Sequence, residues 1–280
     1  MSTENALLTI LTEKINNDSL VLPTLPEIAI KVRKAADDPD INLAKLAEVI
    51  SQDPALSARM IKISNSAFMG RTIKVDTLNQ AVTRIGLRQI KNIVTALAME
   101  QLFVSKNPIV KRYMNETWKR TVDVAAYAIT LMQYYLKRNK HANLDIDTIA
   151  LAALIFNIGA LPIFTEAERH EDVFANPSFL AGAIEKMGGK IGAEIMRAWD
   201  FTDEFVEVAE KWRDLSYEAD KPCYTDFVRI AAVKNGLLTE MTEPENYLSS
   251  MVEKEIIESK SLLNDDEFLS DLGDARSIFA

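Results

Sequence analysis

Side chains able to ligate a transition metal or act as a nucleophile are scarce here: the 280-residue chain has two histidines, His141 and His170, and one cysteine, Cys223. A metal site that activates water for attack on phosphate draws several ligands from imidazole and carboxylate groups. His141 falls in the polar run Arg138-Asn139-Lys140-His141 and His170 in Glu168-Arg169-His170-Glu171-Asp172, so both read as solvated loop or helix-end residues. Asp145 with Asp147, and Glu166 with Glu168, are carboxylates two apart, which on helices point to different faces and form no acid–base dyad. They read as helix starts and surface charge. Cys223 has Lys221 nearby but lacks the combination of helix N-terminus and cationic cluster that generates a thiolate. Gly188-Gly189-Lys190-Ile191-Gly192 follows a helical pattern, not a strand, and lacks the spacing of a phosphate-binding loop. No catalytic residue, metal set or cofactor motif is assigned.

The formal net charge is -9, with acids thickest near the end of the chain, at Glu253, Glu255, Glu258, Asp265, Asp266, Glu267, Asp271 and Asp274. A nucleic-acid partner is not expected, because duplex binding needs several Lys or Arg on one face. Arg84, Arg88 and Lys91 recur at helical spacing and read as a solvated face, the alternative being contact with an anionic partner. One cysteine forms no internal disulfide, and the first thirty residues hold no basic segment followed by a long apolar run, so a cytoplasmic location is expected. The nearest approach to a membrane span, Ile149 to Phe156, falls short of the roughly 18 residues required, so no membrane contact is expected.

These side chains are positioned by helices. Nine glycines and nine prolines punctuate the chain, and apolar residues recur at three- and four-residue intervals with no convincing strand. Asn42 is placed to cap a helix over Leu43 to Ser51, and Asp53 a second that begins at Pro54. Asp76 or Thr77 opens the next, Gly86 ends it, and an apolar helix follows to about Phe103. A long stripe containing Trp118, Val122, Ala125, Ile129 and Met132 predicts a helix over about 115–137 that crosses the domain. Asp145 or Asp147 opens an apolar helix that Gly159 and Pro162 stop. Further helices fit Pro177 to Met187, Lys190 to Trp199, Asp203 to Arg213 and Thr225 to Thr239, with a polar hinge at 216–222 and an acidic end beyond Leu263 that frays.

Four motifs occur in order: Leu22-Pro23-Thr24-Leu25-Pro26-Glu27, Ile50-Ser51-Gln52-Asp53-Pro54-Ala55-Leu56-Ser57-Ala58-Arg59, Ser64-Asn65-Ser66-Ala67-Phe68 and Ala81-Val82-Thr83-Arg84-Ile85-Gly86-Leu87. Together they resemble the signatures of the HDOD family, found mainly in bacterial signalling proteins and similar in fold to the HD superfamily of metal-dependent phosphohydrolases. The resemblance implies an all-α, multi-helical HD-domain-like fold. It divides the chain into an N-terminal helix over 1–19, an HDOD domain over 20–215 with subdomains 20–107 and 108–215, and C-terminal helices over 216–280. Each motif also has a structural reading in caps and stiffened turns. Asn65 and Ser66, with Arg84 and Arg88, are the candidate partner surface.

The resemblance further implies where metal ligands would fall. Phe156 and Asn157 stand in place of the His-Asp pair, Arg120 in place of a further histidine, Trp212 and Arg213 in place of a tandem histidine pair, and Ala232 at or near the last aspartate. Gly188 precedes the segment where another histidine is expected. On this reading the chain is a non-enzymatic signal-transduction module without cofactors, the alternative being a divergent phosphohydrolase with displaced ligands. Arg120, Asn157, Trp212 and Arg213 are expected to converge on the former metal cavity. There the guanidinium groups suit a nucleotide-like phosphate and Trp212 offers a stacking face. The favoured structural reading instead pairs Arg120 with a carboxylate and puts Trp212 in the core. Many relatives carry an attached receiver or output domain; this chain carries none, so it is expected to act on separate signalling proteins. The partner and the oligomeric state are left open.

Overall fold

The computed structural model describes residues 3–17, 19–66, 69, 73–169, 177–238 and 243–279. Helices make up 71% of the chain, and no strand occurs among the described residues. An N-terminal helix, α1 (Thr3–Asn16), precedes a lobe of five: α2 (Glu27–Ala36), α3 (Leu43–Ile50), α4 (Pro54–Ser64), α5 (Leu78–Ile85) and α6 (Leu87–Ala98). Their ends follow from local chemistry. Asn42 Oδ1 accepts from the Lys45 N–H and Asp53 Oδ1 from the Leu56 N–H, each at 2.9 Å, and Pro54 takes the first helical position, where its missing N–H costs nothing. Thr77 and Gln80 close a capping box at the start of α5. Gly86 separates α5 from α6 at φ +86°, a backbone region open to glycine at little cost.

The second lobe is built on α7 (Pro108–Arg138), whose 31 residues span about 46 Å at about 1.5 Å per residue. Around it lie α8 (Ile146–Ile155), α9 (Ala160–Ala167), α10 (Pro177–Ala198), α11 (Asp203–Lys211) and α12 (Tyr224–Lys234), followed by α13 (Pro244–Glu253) and α14 (Asp266–Phe279). Helix α8 is apolar on every side, and Ile149 to Ile155 is buried throughout, because it packs against α6, α7, α11 and α12 at once. It is the strut that joins the two lobes.

Several expectations change. The apolar helix ends at Ile155, two residues before the expected end at Asn157, and residues 156–159 form a turn; Pro162 is not part of the stop but sits in the first turn of α9, which starts at Ala160, where no i−4 hydrogen bond is lost. Together Ile146–Ala167 is long and apolar enough to cross a membrane by length and composition, yet 83% of its most apolar window is buried inside the protein. Gly188 and Gly189 do not break a helix: α10 runs through them. They are packing positions, since a Cβ on Gly159 would sit 2.0 Å from the Gly188 carbonyl oxygen and one on Gly189 2.7 Å from that of Glu210. The acidic end does not fray. Helix α14 lies on α7, and its Phe268 is fully buried, edge-on to Tyr127 and Tyr134 with ring centroids 5.3 and 5.4 Å away.

The polar run 216–222 is pinned rather than hinged. Arg229, 3% exposed on α12, donates to the carbonyl oxygens of Lys211 (2.8 Å), Trp212 (3.3 Å), Asp214 (2.8 Å) and Tyr217 (2.9 Å), satisfying orphan acceptors where α11 ends. Helix α1 is anchored by the Lys14–Glu166 ion pair at 2.7 Å. Glu166 is therefore a buried tether that also meets Arg169 at 3.1 Å, and not surface charge.

Candidate functional site

Helix α7 presents Thr117, Arg120 and Thr121 at i, i+3 and i+4, which places them on one face over the turn 156–159. With Phe156 and Asn157 from that turn, Ala181, Ile184 and Glu185 from α10, Arg213 beyond α11, and Gly236 and Leu237 beyond α12, they line a cavity of about 290 Å³. The contact between Gly159 and Gly188 sets the turn directly against α10, and the Arg229 clamp fixes the segment that carries Arg213. One support is a contact between backbones and the other a buried side chain holding backbone carbonyls, and together they fix the segments that carry Asn157 and Arg213.

Of the four residues expected to converge, Arg120, Asn157 and Arg213 line this cavity; Trp212 does not. Trp212 is 1% exposed, with the Arg213 guanidinium 4.3 Å over its ring and Phe156 edge-on at 4.6 Å, so no face of it is open for a ligand to stack on. It serves as core. Arg120, by contrast, is exposed and makes no hydrogen bond or ion pair among the described residues, against the expectation that a carboxylate would hold it. Glu185, exposed and contributed by α10, forms no ion pair among the described residues either.

Sequence reasoning missed Thr117, Thr121 and Glu185. Thr12, Thr83, Thr95, Thr130 and Thr165 each donate to the carbonyl four residues back at 2.6–3.1 Å, the ordinary use of a helical threonine hydroxyl. Thr121 is 1% exposed in the middle of α7, makes no such bond among the described residues, and lines the cavity. The i, i+3, i+4 grouping of Thr117, Arg120 and Thr121 was the available signal.

The candidate partner surface is used inside the molecule. Asn65 Nδ2 donates to the Val75 carbonyl at 2.7 Å and its Oδ1 accepts from the Val75 N–H at 2.8 Å. Arg84 donates to the carbonyl oxygens of Ser64 (2.9 Å) and Ile73, and Ser66 donates to that of Ile63 at 2.6 Å. These side chains shape the loop after α4. Arg88 alone of the four is highly exposed, facing Asp145 at 3.3 Å, while Lys91 meets Asp37 at 2.7 Å. Ala67 and Phe68 of the same motif lie outside the described residues.

The other titratable candidates separate by environment. His141 is exposed in a turn after α7; His170, Glu171 and Asp172 lie outside the described residues. Asp145 is exposed, but Asp147 is buried and not surface charge. It accepts from Asn92 Nδ2 at 2.9 Å, and burial pushes its carboxyl above the usual range. Burial, with Asp226 beside it, pushes the Cys223 thiol up to about 12, the opposite of an activated nucleophile.

An all-helical domain with an HD-like cavity flanked by cations is thus the class the fold and site define. The HDOD domain model matches residues 22–214, and the chain belongs to the HDOD family. A solved protein from Shewanella amazonensis SB2B, named as a candidate metal-dependent phosphohydrolase, is 43% identical, with both chains covered in full and a TM-score of 0.95. A candidate signal transduction protein from Marinobacter aquaeolei VT8 is 19% identical over 99% of this chain and 67% of that one, with a TM-score of 0.52, a likeness of fold. An uncharacterized protein of Treponema pallidum (strain Nichols) is 23% identical over 224 residues, 76% of this chain; the match spans 41% of that relative's length.

The fold family implies a divalent metal, and the cavity's donor set does not fit one. It offers two guanidinium groups, one neutral amide, two hydroxyls and a single carboxylate, whereas iron, manganese or zinc calls for several anionic or imidazole ligands and is repelled by fixed cations. Among the described residues, no three His, Cys, Asp or Glu side chains gather as a metal set.

Proposed function

We propose that this HDOD protein is a non-catalytic regulatory module of cytoplasmic signalling, which receives a small ligand through an anionic group in the Arg120 cavity and passes its state to a separate protein partner. The observation that carries the reading is Arg120: a fixed cation with no partner among the described residues, on the wall of a cavity that Arg213 and Asn157 also line. Arginine presents a planar fork of donors suited to phosphate or carboxylate oxygens. Isothermal titration with inorganic phosphate, mononucleotides, cyclic dinucleotides and small carboxylates, free amino acids among them, tests it, with Arg120→Ala as control. Binding tighter than millimolar that the variant loses supports the reading; no binding by any anionic probe refutes it. Co-purification with mass spectrometry then identifies the protein that reads the occupied state.

The name carried by the 43% identical Shewanella protein favours a second reading, a phosphohydrolase with displaced ligands. Elemental analysis of the purified protein, paired with hydrolysis assays on generic phosphoesters, separates the two. Stoichiometric iron or manganese together with turnover replaces the non-catalytic reading.

A further inference from the structure

The charges of the cavity are of both signs and do not neutralise one another. Glu185 and Arg120 line the same cavity, yet Glu185 forms no ion pair with either arginine or with any other described group. Opposite charges on the lining of one cavity that do not pair with each other suit a ligand that carries the complementary charge at each end. Asn157 and Thr121 add an amide and a buried hydroxyl, neither of which makes a side-chain hydrogen bond among the described residues. Phe156 and Ile184 supply apolar wall.

From this arrangement we infer that the ligand is a compact zwitterion, an α-amino acid, with its carboxylate on Arg120 and its ammonium on Glu185. Asn157 and Thr121 orient the charged end, and the side chain rests on Phe156 and Ile184. The inference deepens the proposed ligand-binding role and rests on it. Size agrees: at about 290 Å³ the cavity lies at the lower end of the roughly 300–1,000 Å³ range of small-molecule sites, which suits a small ligand. Charge agrees as well: Arg213 adds a second cation near the carboxylate end, and the Glu185 carboxylate, which no described cation neutralises, is used by an ammonium.

Calorimetric titration of the full chain tests this with three sets of probes: free α-amino acids, their N-acetyl derivatives, and their α-amides. The expected result is that at least one free amino acid binds tighter than millimolar and that blocking either end weakens it tenfold or more. Glu185→Gln should abolish the discrimination against the N-acetyl form, and Arg120→Gln the discrimination against the amide. Both residues are exposed, and matching melting curves establish that the variants fold. If N-acetyl derivatives or adenosine monophosphate bind as well as any free amino acid, or Glu185→Gln changes nothing, the zwitterion inference is overturned while the anion-binding cavity stands. If no amino acid, nucleotide or phosphate binds and Arg120→Gln is silent, both are overturned.

Discussion

Adding one methyl group at Gly159 should unseat a helix. The new Cβ would lie 2.0 Å from the Gly188 carbonyl oxygen, 2.7 Å from the Gly192 nitrogen and 2.9 Å from the Gly188 carbonyl carbon. Carbon–oxygen contacts in proteins sit at about 3.3–3.6 Å, so α10 or the turn must retreat by more than about 1 Å. No flexible side chain is available to yield, because all three contacts are backbone. Overpacking typically costs about 1–3 kcal/mol, and a clash that displaces a helix belongs at the upper end, about 3 kcal/mol. For a domain near this size each kcal/mol lowers the melting temperature by about 2–4 °C, which gives a fall of about 6–12 °C for Gly159→Ala. Gly273→Ala is the control: nothing lies within 4 Å of its Cβ and it sits inside α14, so helix propensity predicts a gain of about 0.5–1 kcal/mol. Calorimetric melting of the three proteins decides. A Gly159→Ala protein that melts within 2 °C of the parent refutes the claim that backbone contact fixes the cavity wall.

Phe268→Ala removes a buried ring that meets two tyrosines and should cost about 3–5 kcal/mol, with amide exchange rising along α14 before the rest of the chain. Asp147→Asn should raise the melting temperature at pH 7. Burial lifts the folded carboxyl above its ordinary 3.8, so the folded state holds its proton longer than the unfolded chain, and the parent loses stability as pH rises from 3.8 through the folded value. The variant keeps the Asn92 contact, and its advantage should vanish below pH 3.8; an advantage unchanged at pH 3 contradicts the assignment. Arg229→Lys keeps the charge but cannot reach four carbonyl groups at once, so it should destabilise by about 2–4 kcal/mol in chemical denaturation, and a loss below 1 kcal/mol argues against the clamp.

The caps at Asn42, Asp53 and Thr77 and the break at Gly86 were legible because each depends on residues within four positions of itself. What failed depended on distant neighbours. A helix through Gly188 and Gly189 reads as broken until Gly159 and Glu210 are seen against it. Asn65 and Arg84 read as surface polarity because their acceptors, Val75 and Ile73, belong to a loop about ten residues away whose path no periodicity predicts. At the cavity, family resemblance identified Arg120, Asn157 and Arg213; for Trp212 the favoured core reading held and the stacking-face alternative did not, because Phe156 and Arg213 cover its ring, while the carboxylate expected to hold Arg120 is not there among the described residues. Glu185 went unnoticed because only the folded chain brings it to the cavity that Arg120 lines from another helix.

The long helix α7 also carries information about time. Its partner α8 follows after a connection of only seven residues, 139–145, whereas α14 reaches α7 from more than a hundred residues further along the chain. Closing a short loop costs less entropy than closing a long one, so the α7–α8 pairing is expected to form early and the docking of α14 late. A weakened α14 seat should therefore hasten unfolding and leave the folding rate nearly unchanged, which makes the C-terminal helix a latch on the lifetime of the native state rather than a guide to its formation.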